Sequence, residues 1–102
     1  MAYKWPPHDP SEIKTYSIDW SRLIEDDTIE TVQWFVEAVE LGSYDMLPGD
    51  SLQLIQPTNT NTVTSVRVHG GTPSKNYIFT CKITTAAEEV YLQDVYLQMR
   101  HT

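Results

Sequence analysis

The chain has one cysteine, Cys81, in 102 residues, so no intrachain disulfide framework is available to it. It has only seven Lys and Arg against fourteen Asp and Glu, a net charge of −7. Nucleic-acid binding needs clustered cations against phosphate, and this balance argues against it. Apolar runs extend only a few residues, too few to cross a bilayer, so no membrane partner is expected. The N-terminal MAYKWPPHDP has neither an apolar h-region nor a small-residue cleavage site, and no secretory signal is expected.

What is present is ordinary for a folded domain: 40% hydrophobic and 21% charged residues. The length suits one domain with a modest core. Charge is uneven. Residues 1–50 hold eleven acids against Lys4, Lys14 and Arg22, whereas residues 51–102 hold three acids against four cations. Such asymmetry can orient a protein against a basic neighbour, although a solvated acidic surface explains any single carboxylate.

Residues 66–85, VRVHGGTPSKNYIFTCKITT, carry the most structural information. Two alternating stretches flank Gly70 and Gly71, and Tyr77, Phe79, Cys81 and Ile83 share one face of the second. Strict alternation of this length predicts a half-buried strand, and the two glycines can take the positive φ that closes a connection. Cys81 reads as a small core residue in that series rather than a nucleophile. Further strands are expected over 13–20, 28–36, 51–56, 62–68 and 90–99. Residues 21–27 read as an acidic turn, 37–50 as an irregular loop and 57–61 as a polar turn. Over 29–41 a helix competes with the strand, but β-branched and aromatic residues favour the strand up to Val36. In the last strand Leu92 falls on the solvent parity unless a bulge before Val95 re-aims it.

Six or seven short strands in about 100 residues predict an all-β immunoglobulin-like or fibronectin-III-like antiparallel sandwich. An extended arm over 1–10 would precede a single domain over 11–102. Pro6, Pro7 and Pro10 block regular pairing in the arm, while Tyr3 and Trp5 give it something to bury, on its own domain or on a partner. Tyr77 stands where a tyrosine-corner residue would, with its hydroxyl bonded to nearby backbone, and Trp34 is the expected central core aromatic.

No pattern for chemistry emerges. His8, His69 and His101 have no metal-ligand spacing, and Glu25, Asp26 and Asp27 do not form a calcium loop. HGGT lacks the phosphate-loop pattern, and no nucleophile elbow is present. No enzyme activity, catalytic residue, metal or cofactor is expected. Groups free for partners are Tyr3, Trp5, Pro6 and Pro7 of the arm and Tyr44, Met46 and Leu47 of the loop.

Two segments resemble the tailed-phage fiber–tail adaptor family. Residues 9–34, DPSEIKTYSIDWSRLIEDDTIETVQW, are similar to its D-P-x-E, I-D-W and D-x-I pattern. Residues 60–86, ending GGTPSKNYIFTCKITTA, are similar to its G-G-T…Y…T…I-T-T-A run, with Gly70, Gly71, Thr72, Tyr77, Thr80, Ile83, Thr84 and Thr85 in the recurrent places. The resemblance covers about half the chain. It implies an Ig-like virion structural protein, made in the host cytoplasm, that joins the tail or neck to tail fibers. Expected partners are other virion proteins (a tail or neck adaptor or nozzle, and the fiber) and copies of itself around a ring. A capsid decoration protein or a host-glycan-binding module is the alternative. Residues 37–50 and the MAYKWPP arm depart from the family pattern, which makes them the expected sites of partner choice. Deletion of 1–7 would then weaken assembly and spare the fold.

Overall fold

A computed structural model describes residues 3–100, with Tyr3 described by its backbone. Eight strands and one helical turn follow in chain order: β1 (Tyr3–Lys4), β2 (Ile13–Asp19), α1 (Ser21–Ile24), β3 (Ile29–Val36), β4 (Val39–Leu41), β5 (Gln53–Asn59), β6 (Val63–His69), β7 (Asn76–Thr85) and β8 (Val90–Gln98). They form a five-stranded sheet, β1-β8-β7-β3-β4, and a three-stranded sheet, β2-β6-β5. All pairings are antiparallel except β1 with β8. With β2 to β8 read as B, C, C′, D, E, F and G, the sheets are C′-C-F-G and B-E-D, the immunoglobulin arrangement.

The core follows the predicted alternation. On β7 the side chains of Tyr77, Phe79, Cys81 and Ile83 are fully buried between the sheets. Trp34 and Val36 of β3, with Val95 and Leu97 of β8, complete the inner face of the larger sheet. Opposite them lie Tyr16, Ile18, Leu54, Val66 and Val68. The β7–β8 register runs without a shift, so no bulge re-aims Leu92, which is 62% exposed.

The Gly-Gly corner carries the chain from β6 in one sheet to β7 in the other. Gly70 and Gly71 have φ of +79° and +110°. A Cβ on Gly70 would sit 2.2 Å from the Ser51 carbonyl oxygen, so the corner fits only without a side chain. Tyr77 completes it as a tyrosine corner: its hydroxyl accepts the Thr72 N–H at 2.8 Å and donates to Asp50 Oδ2 at 2.6 Å.

Three features differ from the sequence expectation, and a fourth decides between two placements it left open. Residues 21–24 form a helical turn, α1, closed by hydrogen bonds back to Trp20 and Ser21. The region after Val36 is a tight hairpin: Glu37 and Ala38 both have positive φ, +49° and +65°, and β4 returns along β3. β5 continues through Pro57 with a register break between Ile55 and Thr58, which an edge strand tolerates. The arm is part of the sandwich. Tyr3 and Lys4 extend the larger sheet, and Trp5 is only 3% exposed.

Candidate docking surface

The outer face of the five-stranded sheet is set by the same alternation that fills the core. Residues one place along from each buried side chain point to solvent, so β7 presents Ile78, Thr80 and Lys82, and β8 presents Leu92, Asp94 and Tyr96. Register brings them into rows. Ile78 lies opposite Tyr96, Thr80 between Phe35 and Asp94, and Lys82 between Gln33 and Leu92. Ile78, Leu92 and Tyr96 are exposed large hydrophobics, and Phe35 is half-buried. Phe35, Ala38, Thr80, Lys82 and Leu92 line an open hollow of about 340 Å³ on this face. An apolar dimple on a solvent-facing sheet, rimmed by a lysine and by an aspartate that accepts the Thr80 hydroxyl at 2.7 Å, has the anatomy of a contact surface.

A second prominence is the β4–β5 connection. Tyr44 and Met46 are 56% and 55% exposed at its tip. The loop is nevertheless pinned: the Tyr44 N–H donates to the Leu54 carbonyl at 2.7 Å, and the Asp45 carboxylate accepts the Gly42 N–H at 2.8 Å. Leu47, from the same loop, turns inward and is buried, so it offers nothing to a partner in this conformation.

The arm is likewise divided. Pro6 is exposed and Pro7 half-buried, while the Tyr3 side chain lies outside what is described. Trp5 stacks on Tyr16 with ring centroids 4.9 Å apart, meets Phe79 edge-on at 5.3 Å, and donates its indole N–H to the Ser17 carbonyl at 3.1 Å. Apolar area outweighs the proline-rich context, so this tryptophan closes its own domain rather than standing free. Trp20 and Trp34 are buried as well, leaving no tryptophan face among the described residues for a sugar to stack on.

The groups capable of chemistry are occupied by structure. Burial pushes the Cys81 thiol up to about 12, and it lies 3.5 Å from the Thr64 hydroxyl within the core. Among the described residues no three His, Cys, Asp or Glu side chains cluster as metal ligands. His8 is in the core, His69 is on β6, and His101 lies outside the described residues. Asp50 gathers the Tyr77 hydroxyl, the Ser51 N–H at 2.7 Å and the Lys75 ammonium at 3.4 Å. Burial works against its ionisation, but these donors outweigh that and hold its carboxyl below the usual range. This cluster is a structural latch on the corner.

Sequence reasoning placed partner contacts in the arm and the loop and did not single out the sheet face. The signal was available: Ile78, Leu92 and Tyr96 are apolar residues on the solvent parity of two strongly alternating strands.

Taken together, fold and surface define an immunoglobulin-like sandwich with an uncovered apolar sheet face. The podophage GP4 fiber-tail adaptor protein gp77 family matches residues 8–98, and the chain belongs to that family. Among solved structures it is similar to the PKD domain from KIAA 1837 protein, seen in solution, with 18% identity and a TM-score of 0.49 over 98% of this chain and 78% of that one. That similarity carries no functional weight. No curated protein matches the chain.

Proposed function

We propose that this protein is a non-enzymatic joint of the phage virion, holding tail fibers to the tail or neck through protein–protein contacts. Family membership across residues 8–98 is the observation that carries the reading. The surface supports it: the sandwich presents Phe35, Ile78, Leu92 and Tyr96 on one face, and Tyr44 and Met46 stand exposed in the β4–β5 connection. Several copies set in a ring would multiply weak individual contacts into a firm attachment. Exposed Pro6 and half-buried Pro7 of the arm add a further edge to that surface.

Incorporation into particles tests the reading. Phage carrying Leu92→Asp with Tyr96→Asp should yield a folded adaptor and tails depleted of fibers. Normal fiber content on such particles would remove the sheet face from the attachment.

A further inference from the structure

The two sheets have four edges, and three are closed to added strands. β1 is two residues long and β4 three. β5 contains Pro57 and a register break, and the β4–β5 loop lies along it: Leu54 bonds Tyr44 and Asp45, and Met46 bridges Gln53. Short edges, proline, bulges and covering loops are the devices that keep β-sheets from pairing with other chains. The fourth edge is neither short nor broken, and the arm beside it takes up the Ser17 carbonyl through the Trp5 indole but leaves the rest of the edge open. β2 runs seven residues, Ile13–Asp19, in one unbroken register with β6.

The polar backbone of that edge can be assigned. The Trp20 N–H continues the ladder to the Thr62 carbonyl, so the even-numbered residues of β2 face β6 and the odd-numbered ones face away. Acceptance of the Trp5 indole N–H by the Ser17 carbonyl agrees. Thr15 and Ser17 thus direct backbone groups into an open groove of about 450 Å³ between the arm and β2, where Lys4, Pro6 and Lys14 also line the walls. Lys4 and Lys14 are two of the three cations in the first fifty residues. Glu12 lies 3.6 Å from Lys14, but both side chains are nearly half exposed, and such a pair opposes an incoming carboxylate only weakly.

We infer that this groove is a strand-acceptor site: it takes an extended, acidic segment of another polypeptide, which pairs with the Thr15 backbone and the Ser17 N–H and sets carboxylates against Lys4 and Lys14. Main-chain hydrogen bonds supply affinity in this mode, and flanking side chains supply selection. The arm stands alongside β2, so the groove admits a single extended chain rather than the edge of a folded sheet. The site is separate from the outer sheet face and does not depend on which protein meets that face.

The test is titration of isotopically labelled protein with the peptide acetyl-Glu-Val-Glu-Val-Glu-amide and its lysine counterpart, acetyl-Lys-Val-Lys-Val-Lys-amide. The acidic peptide should shift the Thr15 and Ser17 amide resonances, with an affinity at least tenfold above the lysine peptide. Thr15→Pro removes an outward N–H and leaves the β6 ladder intact, so it should abolish the response while β6 resonances keep their positions. Lys4→Glu with Lys14→Glu should reverse the preference between the peptides whether or not the proline variant folds. No response at β2, equal response to both peptides, or shifts that follow protein concentration instead of peptide would each overturn the assignment, the last by making a second copy the occupant.

Discussion

At the scale of single residues, buried polar groups decide where this protein is vulnerable. Tyr77 has its hydroxyl between the Thr72 N–H and the Asp50 carboxylate, so it satisfies two part-buried groups at once. Tyr77→Phe should therefore cost about 1–3 kcal/mol in urea unfolding, with the larger part coming from the partners left behind. His8 is the opposite case. It is fully buried, and neither ring nitrogen has a hydrogen-bond partner. Desolvation lowers its pKa, with Lys14 and His69 acting in the same direction and Glu12 and Asp9 against. A folded-state pKa below the unfolded one means that the native state binds fewer protons. Stability is then complete above the unfolded value of about 6.5 and falls as pH drops below it. Melting temperatures from pH 7.5 to 5 should show that decline, and His8→Leu should flatten it. Asp50, whose pKa is also lowered, adds a separate loss only as pH falls below the carboxylate range.

At the scale of elements, legibility followed side-chain alternation and failed where backbone conformation took over. The runs around Tyr77 and Val95 announced β7 and β8 because the period of two survives along their whole length. The β3–β4 hairpin was hidden because its turn is built from Glu37 and Ala38 in the left-handed region, where Asn-Gly would ordinarily signal it. Gln56, also at positive φ, similarly disguises the continuation of β5 through Pro57. Ala38 pays a conformational penalty that glycine does not, so Ala38→Gly should stabilise the protein by about 1 kcal/mol in denaturant unfolding. An unchanged midpoint would mean that the turn is relaxed already. The arm was left open between its own domain and a partner because its prolines carry no periodicity, and the structure sets Trp5 in the core beside Tyr16, Trp34 and Phe79. Truncation of a buried tryptophan costs about 3–5 kcal/mol, so Trp5→Ala should lower stability by that order. Removal of residues 1–7 would then impair the fold as well as assembly, and a circular-dichroism melt distinguishes the two.

At the scale of the molecule, the sandwich separates rigidity from contact. The inner faces hold a continuous core, and the outer face of the larger sheet leaves Ile78, Leu92 and Tyr96 uncovered. The candidate surface was only half legible in the sequence. Tyr44 and Met46 stood out as apolar residues in a loop, but Leu47 and Trp5 turned inward, and the sheet face emerges only when strands separated in sequence are set side by side. Solvent-facing substitutions on a sheet usually leave stability within about 0.5 kcal/mol, so Leu92→Asp and Tyr96→Asp should act on attachment and hardly on melting. The measurement that tests the adaptor reading most directly is a cryo-EM reconstruction of the intact particle with this chain's density located in it. Copies between tail and fiber, with the face carrying Leu92 and Tyr96 covered by a neighbour, are the predicted result. Copies dispersed over the capsid shell, or a ring at the tail with that face open to solvent, would contradict it.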